Sequence, residues 1–315
     1  MEISLCDPVQ ENLLQVDGLL RSSLEGGHTG LEAALAGLIT AGGKRIRPRL
    51  ALLTGNLLAA DEGRLLPLAA AIELLHTATL IHDDLVDGAS LRRGRPTLNA
   101  RYPAGVTVLA GDFAFAHAAR LVAEAGSLAV MRLFAETLTI MAGGELAQAS
   151  TRGSLTSREA YYRWIHAKTA SLFELASGAA ALLSPVGEET AAAARRFGRL
   201  IGMAFQIADD VLDFTGDPAR VGKPVGSDLR QGVITLPALC FFEAHPDLRP
   251  AAGRVEGPQL ERLVAAIRAN GAISQALREA EGFVQEALQA LADLPAAPAR
   301  EALTELARSI VCRIS

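Results

Sequence analysis

Two acidic segments decide how this chain is interpreted: LIHDDLVD at residues 80–87 and QIADDVLD at residues 206–213. Each contains the pattern DDxxD inside an otherwise apolar stretch. At about 100° per residue, Asp83 and Asp87 fall on one face of a helix, a single turn apart. The second segment repeats this spacing. The flanking residues are apolar enough to predict largely buried helices, so a solvated acidic surface is a poor explanation for either segment.

The rest of the chain shows helical periodicity. Apolar residues recur at intervals of three and four, as from Leu66 to Ala70, within long stretches rich in Ala and Leu. Alternating runs of β-branched and aromatic residues are nearly absent, and aromatic residues make up 4% of the chain. Thr156 followed by Glu159 predicts a capping box at the start of one helix. With no repeat or linker to force a boundary, the sequence predicts an all-α fold and a single domain over residues 1–315.

Composition and charge exclude several classes of function. The chain has 30 basic and 35 acidic residues and a net charge of -5, which disfavours a broad surface for nucleic acid. The amino terminus lacks the basic start and apolar stretch of a signal peptide, and no apolar run reaches the roughly 18 residues of a spanning helix. Cys6, Cys240 and Cys312 are far apart and predict free thiols in a reducing compartment. We therefore expect a cytoplasmic protein with at most peripheral membrane contact.

Paired carboxylates on a buried helix need a counter-charge. Two of them about 6 Å apart repel by roughly 3 kcal/mol at an effective dielectric constant near 20. Divalent cations supply that charge, and a set of oxygen ligands alone favours Mg²⁺ or Mn²⁺ over zinc. Mg²⁺ typically takes one or two carboxylates and leaves its remaining positions for water and phosphate. Two such segments facing one another are therefore expected to hold a metal-bound diphosphate.

Basic segments accompany both acidic ones. GGKRIRP at residues 42–48 places three cations beside a glycine pair and ends at a proline, as expected for a phosphate-binding loop that enters a helix. RRGRP at residues 92–96 follows the first DDxxD, and GKP at residues 222–224 follows the second. The glycine spacing and the presence of Arg45 exclude a nucleotide P-loop. Each acidic segment thus has its own basic loop.

A second metal hypothesis starts from the ExxH pattern of Glu73 and His76, which is typical of di-iron helical bundles. That chemistry needs two such motifs, and the other one, Glu25 with His28, spans a glycine pair where a helix is not expected. The di-iron hypothesis is therefore disfavoured. His76 lies seven residues before Asp83 on the same helix face, and is either a core histidine or a hydrogen-bond donor near the diphosphates.

Seven segments together resemble the trans-type isoprenyl (polyprenyl) diphosphate synthases over essentially the whole chain. They are, in chain order, GGKRIRP at 42–48, LIHDDLVDGASLRRGRPT at 80–97, Gly111-Asp112, GGELAQ at 143–148, Lys168-Thr169-Ala170, FQIADDVLDFTGD at 205–217 and GKPVGSDLRQGVITLP at 222–237. The resemblance implies an all-α, single-domain bundle of the isoprenoid synthase type around a central cavity, with the aspartate motifs on opposite walls. It also implies a homodimer, which spacing alone does not show.

The same resemblance implies roles for individual residues. About three Mg²⁺ ions, for which Mn²⁺ can substitute, are expected to have as direct ligands Asp83, Asp87 and Asp209. Roles in support of those ligands or through water are implied for Asp84, Asp210 and Asp213. The allylic diphosphate is expected to bind Arg92, Lys168 and Lys223. Isopentenyl diphosphate is expected to bind Lys44, Arg47, His76 and Arg93. The residues expected against the developing carbocation are Thr169 and Gln206.

These roles imply a prenyltransferase that joins an allylic diphosphate head to tail with successive isopentenyl diphosphates, in the all-trans configuration. Metal ions and cations stabilise the departing diphosphate, and the isopentenyl double bond attacks the resulting cation in a dry cavity. We expect the diphosphate to take the proton that is lost. No side-chain nucleophile is needed, in agreement with the lack of a Ser-His-Asp or Cys-His pattern in the sequence.

Product length is expected to depend on the residues before the first aspartate motif. Thr79 lies one helical turn, about 6 Å, before Asp83 on the same face, and Ala78 stands beside it. Short-chain relatives carry a bulky aromatic at one of these positions as a floor, whereas long-chain bacterial members carry small residues. Ala78 and Thr79 therefore predict a long-chain product, unless they are small only to admit a neighbouring helix. A geranylgeranyl or farnesyl diphosphate synthase is the alternative.

Two other classes share parts of this pattern. Terpene cyclases and head-to-head synthases have an aspartate-rich helical cavity but lack the GGKRIRP loop for isopentenyl diphosphate. A non-catalytic regulatory subunit of a heteromeric synthase would have lost aspartates from DDxxD, whereas all six are present here. Both features favour a catalytic, elongating enzyme.

Overall fold

A computed structural model of the 315-residue chain describes residues 8–23, 34–35, 37–38, 43–92, 94–151, 157–216, 225–250 and 255–312. These residues are helical almost throughout, which confirms the predicted all-α fold. The helices are α1 (Gln10–Ser22), α2 (Ile46–Leu57), α3 (Glu62–Val86), α4 (Ala104–Glu124), α5 (Leu128–Thr151), α6 (Arg158–Ile165), α7 (Ser171–Leu182), α8 (Glu188–Thr215), α9 (Ser227–Arg230), α10 (Leu236–Ala244), α11 (Gly257–Ala269), α12 (Ala272–Ala292) and α13 (Pro298–Val311). A π-helical turn (His166–Ala170) joins α6 to α7, and a 3-10 turn (Pro246–Leu248) follows α10.

Extended structure in the described part of the chain is limited to one short hairpin. Strands β1 (Leu91–Arg92) and β2 (Arg95–Pro96) are antiparallel, with Arg92 opposite Arg95. This hairpin contains most of the basic segment that follows the first DDxxD.

The chain divides into two compact units. The first consists of residues 1–136, 172–195 and 292–303, and the second of residues 137–171, 196–291 and 304–315. The single-domain assignment over residues 1–315 stays a prediction.

Helix α3 is the centre of the first unit and packs against α1, α2 and α4. Its middle section is buried on every side, as shown by Ala71, Ile72 and Leu74, and the buried charge within it, Glu73, is ion-paired with Arg45. Asp61 caps the amino-terminal end by accepting a hydrogen bond from the Arg64 backbone N–H at 3.1 Å. The first DDxxD segment forms the opposite end of this helix.

The second unit is built on an aromatic and aliphatic core. Residues from α6, α8, α10, α11 and α12 contribute to it, and its largest fully buried side chains include Tyr161, Phe214, Phe241 and Phe242. The second DDxxD segment lies in the last turns of α8, beside this core. Both acidic segments therefore sit at the carboxyl ends of long, buried helices.

The start of α6 corrects one prediction. Its N-cap is Ser157, whose side chain accepts a hydrogen bond from the Ala160 backbone N–H at 3.2 Å. The chain is extended at Ser157 and turns helical immediately afterwards, so the helix begins one residue later than the predicted capping box requires. The pairing of Thr156 with Glu159 as a capping box is therefore wrong, and Thr156 itself lies outside the described residues.

Two described helices, α3 and α4, are long and apolar enough to span a membrane by length and composition. The apolar window of α3 is 67% buried, as expected for the core helix of the first unit, whereas that of α4 is 39% buried. Cys240 and Cys312 are free thiols, the first buried and the second exposed, and Cys6 lies outside the described residues.

Candidate active site

The first DDxxD segment places its aspartates in two environments. The Asp87 backbone N–H donates to the Asp83 carbonyl at 2.8 Å, so these residues are one helical turn apart, as predicted. Asp83 is partly exposed and Asp87 is exposed. Asp84 is only 4% exposed, and its Oδ1 accepts a hydrogen bond from Arg92 Nε at 2.8 Å and forms an ion pair with Arg92 Nη2, also at 2.8 Å. The segment thus presents two carboxylates and binds the third to a cation.

The hairpin that carries Arg92 is fastened to the end of α3. The Ala89 carbonyl accepts hydrogen bonds from Thr97 Oγ1 at 2.7 Å and from Asn99 Nδ2 at 3.0 Å. The Ala89 N–H in turn donates to the Asp84 carbonyl at 2.9 Å. These bonds fix the basic hairpin against the acidic turn that precedes it. Arg93 lies outside the described residues.

The second DDxxD segment also buries its central aspartate, with different partners. Asp209 is exposed, whereas Asp210 is 3% exposed. Tyr161 donates its hydroxyl proton to Asp210 Oδ2 at 2.6 Å, and Gln206 Nε2 donates to Asp210 Oδ1 at 2.8 Å. Burial raises the pKa of the Asp210 carboxyl well above its usual value, and the nearby charge of Asp228 adds to this effect. Burial, with the Asp210 charge, likewise raises the pKa of the Tyr161 phenol.

Asp213 connects the second segment to the chain that follows it by hydrogen bonds. Its two carboxylate oxygens accept hydrogen bonds from the backbone N–H groups of Ser227 at 3.1 Å and Asp228 at 3.2 Å. These are the first N–H groups of α9, so Asp213 caps the amino-terminal end of this short helix. Lys223, predicted to bind the allylic diphosphate, lies in the connection outside the described residues.

Lys168 and Thr169 lie in the π-helical turn, which re-aims side chains relative to a continuous α-helix. Lys168 Nζ is 3.8 Å from Glu145 Oε1 and 5.5 Å from the centre of the Trp164 ring. A Cβ atom on Gly144 would stand 2.5 Å from Ala167 Cβ, so a side chain at that position would push α5 away from the turn. The GGELAQ segment therefore helps to position Lys168. Gly144 allows α5 to lie close to the turn, and Glu145 forms an ion pair with Lys168.

The GGKRIRP loop divides its three cations between two tasks. Arg45, at the start of α2, adopts the left-handed conformation with φ 46°, which is strained for a residue with a Cβ. Its guanidinium is held by Asp17 at 3.0 Å and Glu73 at 2.7 Å. Arg45 thus stabilises the fold of the loop, and it is the one cation of the three that was not expected to bind a substrate. Glu73 is engaged by this ion pair, which also argues against the di-iron hypothesis.

The other two cations of the loop are placed differently. Lys44 is exposed, and the Arg47 guanidinium lies 4.8 Å from the centre of the Phe173 ring, within range of a cation–π contact. Such a contact restrains the guanidinium and leaves its N–H groups chemically able to donate hydrogen bonds.

A cavity of about 210 Å³ lies in the first unit beside α3 and the basic hairpin. Residues that contribute ionisable groups to its wall include Arg45, Glu73, His76, Asp84, Arg92 and Arg95. The structure therefore brings together His76, Asp84 and Arg92 of the predicted site. Half-buried His76 faces this cavity, so it is not a fully enclosed core histidine.

The Gly111-Asp112 pair has a geometric explanation. A Cβ atom at Gly111 would stand 2.1 Å from Nε2 of His82, so α4 can approach α3 here only because residue 111 is glycine. The His82 Nε2 lies 3.2 Å from the Val108 carbonyl and 3.6 Å from Asp112 Oδ1. This contact anchors the residue immediately before Asp83.

The two positions predicted to set product length differ in burial. Ala78 is completely buried, and Thr79 is half-buried with its hydroxyl donating to the His76 carbonyl at 2.8 Å. Both lie one turn or slightly more before Asp83, as the helical period predicts.

Three residues of the site were missed by sequence reasoning. Tyr161 bonds to Asp210 from a helix about 50 positions away, and no local pattern shows such a partner. Asp228 lies against the second DDxxD from α9, and its place in GKPVGSDLRQGVITLP, one of the seven segments that carry the family resemblance, is the sequence signal for it. The ExxH pattern that contains Glu73 gives no sign of its ion pair with Arg45.

No group of three or more His, Cys, Asp or Glu side chains within the described ranges is arranged to hold a metal ion by itself. The oxygen-only donor set still suits Mg²⁺, which commonly uses one or two carboxylates and takes its other ligands from water and phosphate. The exposed aspartates of each segment meet that requirement.

An all-α chain with two DDxxD segments, each with basic residues bound to it or following it, defines an enzyme of the isoprenoid synthase type. The family model described as polyprenyl synthetase matches residues 28–266. The chain belongs to this family, and it is a trans-prenyltransferase. The resemblance recognised in the seven sequence segments is confirmed.

Individual relatives agree with this assignment over nearly the whole chain. The chain is 37% identical over 283 residues to the octaprenyl diphosphate synthase of Escherichia coli (strain K12), covering 88% of each chain. It is 36% identical to the all-trans-nonaprenyl-diphosphate synthase (geranyl-diphosphate specific) of Rhodobacter capsulatus, covering 98% of this chain and 96% of that one. The solved polyprenyl synthase of Caulobacter crescentus CB15, complexed with calcium and isoprenyl diphosphate, has a TM-score of 0.92 at 36% identity, covering 99% of this chain and 97% of that chain.

Proposed function

We propose that this chain is a long-chain, all-trans polyprenyl diphosphate synthase that extends an allylic diphosphate with successive isopentenyl diphosphates. The observation that carries the proposal is that each DDxxD segment exposes at least one aspartate, Asp87 or Asp209, and holds its central aspartate buried and hydrogen-bonded. Relatives named for octaprenyl and nonaprenyl products support a long chain, as do the small residues Ala78 and Thr79.

Divalent metal ions are part of this proposal. We assign Asp83, Asp87 and Asp209 as ligands of about three Mg²⁺ ions, with Mn²⁺ able to substitute, because these carboxylates stand at the exposed ends of their segments. Such ions supply positive charge that stabilises a departing diphosphate. The relative from Caulobacter crescentus was solved in complex with calcium and isoprenyl diphosphate, which supports the binding of both a divalent cation and a prenyl diphosphate here.

The remaining aspartates support those ligands. Asp84 is bound to Arg92, Asp210 to Tyr161 and Gln206, and Asp213 to the start of α9. Hydrogen-bonded carboxylates of this kind orient their neighbours and the water between them.

Cationic side chains would bind the two substrates. The allylic diphosphate is assigned to Arg92, Lys168 and Lys223, and isopentenyl diphosphate to Lys44, Arg47, His76 and Arg93. The cavity of the first unit is lined by Arg92, Arg95, Arg101 and His76 as well as by two carboxylates, and this excess of cationic groups supports an anionic ligand there. Arg47 is pre-oriented by Phe173, which lowers the entropy lost on binding a phosphate.

Thr169 and Gln206 are assigned to the developing carbocation. They are hydrogen-bonded to one another and present oxygen atoms, the negative ends of their dipoles. Enclosure by apolar residues would keep water from the cation until the isopentenyl double bond attacks it.

We also propose a cytoplasmic homodimer that folds as one domain and has at most peripheral membrane contact. Helix α4 exposes Val106, Val108 and Leu109, and the later part of α5 exposes Ile140 and Leu146. Exposed apolar side chains grouped on one helix mark interaction sites more often than free surface. A second copy of the chain is the partner assigned to them.

The proposal is tested with the purified chain alone. Diphosphate release is measured with Mg²⁺, an allylic primer and isopentenyl diphosphate, and the products are separated by chromatography after removal of the diphosphate. A ladder of polyprenyl alcohols ending beyond geranylgeraniol is expected, and chelation of the metal should abolish it. A ladder ending at farnesol or geranylgeraniol supports the short-chain alternative, cyclised hydrocarbon supports a cyclase, and activity only with a second subunit supports a regulatory role.

A further inference from the structure

Tyr161 is completely buried in the core of the second unit, yet its hydroxyl reaches the site. A buried phenol needs one hydrogen-bond partner, and a nearby backbone carbonyl would satisfy it. Here the partner is instead the Oδ2 atom of Asp210, at 2.6 Å. The bond therefore couples a core residue on α6 to the buried aspartate of the second DDxxD.

The coupling continues through Gln206. This residue lies one helical turn before Asp210 on α8, and its Nε2 atom donates to Asp210 Oδ1 at 2.8 Å. Both oxygens of Asp210 thus have a fixed donor. Because the amide nitrogen faces Asp210, the amide oxygen of Gln206 faces the π-helical turn, where it accepts a hydrogen bond from Thr169 Oγ1.

This arrangement determines how Thr169 is presented. Its hydroxyl has one proton, and that proton is used in the bond to Gln206. The hydroxyl oxygen can then offer only lone pairs to any further neighbour. Lone pairs are what a developing positive charge requires, whereas a hydroxyl proton aimed at the same place would oppose it.

We propose that Tyr161 is a positioning residue for prenyl transfer, acting through Asp210 and Gln206 to keep the lone pairs of Thr169 available to the cationic transition state. The inference rests on the proposed function, because it takes Thr169 to lie against the cation. Without the Tyr161 hydroxyl, the Asp210 carboxylate is held from one side only and is able to rotate. The Gln206 amide is then free to turn over, which would direct its N–H groups at Thr169 and release the threonine proton.

Tyr162 provides a matched control on the same helix. Its hydroxyl donates to Glu279, a carboxylate outside both DDxxD segments. Tyr162→Phe therefore removes the same atom from the neighbouring residue, also from a hydrogen bond to a carboxylate. It does not remove a bond to Asp210.

The first experiment compares Tyr161→Phe, Tyr162→Phe and the unaltered chain in steady-state diphosphate release with Mg²⁺, an allylic diphosphate and isopentenyl diphosphate. We expect kcat of Tyr161→Phe to fall by about 10- to 100-fold, the usual effect of losing a supporting hydrogen bond, with both KM values within about threefold. Tyr162→Phe should keep its kcat. A Tyr161→Phe variant with at least half the normal kcat would overturn the inference, and so would a loss confined to KM.

The second experiment tests the route of the effect. In a Thr169→Val background, which already lacks the hydroxyl, adding Tyr161→Phe should lower kcat by less than about threefold. Losses that multiply would show that Tyr161 acts elsewhere. Gln206→Leu breaks the same connection at its middle and also removes an oxygen assigned to the cation, so it should lower kcat at least as much as Tyr161→Phe, with little further loss when the two are combined.

Folding and the proposed function are controlled separately. Circular dichroism and thermal unfolding show whether Tyr161→Phe is folded, and if it is not, Gln206→Leu with Thr169→Val decides the question by the same criterion of non-multiplying losses. If the unaltered chain has no prenyltransferase activity, the proposed function fails. If the unaltered chain is active and the losses multiply, only the role of Tyr161 fails.

Discussion

The two DDxxD segments share a spacing but hold their central aspartates with different chemistry. In the first, Asp84 accepts a hydrogen bond from the guanidinium of Arg92 and is ion-paired with it. In the second, Asp210 accepts one bond from Tyr161 and one from Gln206, both neutral. A guanidinium compensates the charge of a carboxylate, whereas neutral donors satisfy its hydrogen bonds and leave the charge uncompensated.

This difference shows that the motif and its surroundings specify different properties. The helical period places the exposed aspartates of each segment, and partners distant in sequence determine what the buried aspartate does. Burial, with the nearby Asp228, raises the pKa of Asp210 in the second segment. Removing Arg92 would leave Asp84 buried without a cation, whereas removing the Tyr161 hydroxyl chiefly frees Asp210 to rotate.

The largest effect is expected where the two segments are alike, at their exposed aspartates. Asp83→Ala and Asp209→Ala should each lower turnover by about three orders of magnitude or more, because a metal ligand is lost. Thermal unfolding should change little or move upward, because like-charge repulsion is relieved. Steady-state diphosphate release and circular dichroism provide the two measurements.

The control for this pair is Asp247→Ala, an exposed aspartate outside both segments. It should retain normal turnover. If Asp83→Ala or Asp209→Ala keeps near-normal turnover at saturating Mg²⁺, the assignment of metal ligands is wrong.

The parts of the site that sequence could predict are those set by local geometry. The turn between Asp83 and Asp87 follows from the helical period, and the buried helices follow from continuous apolar residues. The π-helical turn at Thr169 could not be predicted, because one added residue in a turn leaves the apolar pattern almost unchanged. The bond of Tyr161 to Asp210 and the ion pairs of Arg45 depend on tertiary packing, which one sequence does not reveal.

The second prediction concerns Arg92, which binds the buried aspartate of the first segment. Arg92→Ala should reduce kcat/KM for the allylic diphosphate roughly 10- to 150-fold. This factor corresponds to the loss of a charge-assisted hydrogen bond of about 1.5 to 3 kcal/mol. Because Asp84 is left buried without its cation, the free energy of unfolding should also fall by about 3 kcal/mol. Lys44→Ala removes an exposed cation, so it should impair isopentenyl diphosphate by a similar factor without loss of stability.

The same division is expected for the other two cations. Arg47→Ala should resemble Lys44→Ala in affecting isopentenyl diphosphate, and Lys223→Ala should resemble Arg92→Ala in affecting the allylic substrate. Equal losses for both substrates across all four variants would contradict the assignment of two binding sites. An Arg92→Ala protein as stable as the unaltered chain would contradict the role given to its bond with Asp84.

The third prediction concerns the helix that supports the second segment. Arg158, at the start of α6, donates three hydrogen bonds to Glu243 of 2.7 to 3.0 Å and one to Glu279. The hydrogen bonds from Arg158 lower the pKa of Glu243 below its usual value. Since Glu243 is largely exposed, Arg158→Gln should lower the free energy of unfolding by only about 1 to 2 kcal/mol at pH 7.

The sign of the pH dependence follows from that lowered pKa. The stabilisation from Glu243 is complete above its ordinary pKa of 4.5 and is lost as the pH falls through the lowered value. Denaturant unfolding measures the free energy of unfolding of Arg158→Gln and of the unaltered chain. The difference between these two free energies should therefore become smaller below pH 4.5. A difference that widens in acid would exclude the ion pair as its source. Turnover should fall less than in Tyr161→Phe, because Arg158 anchors the helix and not Asp210.

The smallest effect on rate is expected from the residues that set product length, where the two segments also differ. Four residues before the first aspartate stands Thr79, half-buried, and the corresponding position of the second segment is Phe205. The second segment thus already carries an aromatic ring there, while the first leaves room. If the growing chain passes the first segment, Thr79→Phe should shorten the product while primer turnover changes by less than about threefold.

Ala78→Phe should shorten the product as well, but at a cost to stability. Ala78 is completely buried, so a phenyl ring must displace its neighbours, at about 1 to 3 kcal/mol, whereas half-buried Thr79 loses mainly its hydrogen bond to the His76 carbonyl. Phe205→Leu is the matched control on α8 and should leave the ladder unchanged. Chromatography of the dephosphorylated products distinguishes the outcomes. If Thr79→Phe gives shorter products and Phe205→Leu gives products of unaltered length, the residues that stop chain growth lie on α3. Ladders unchanged in both Thr79→Phe and Ala78→Phe would show that the chain is stopped by other residues.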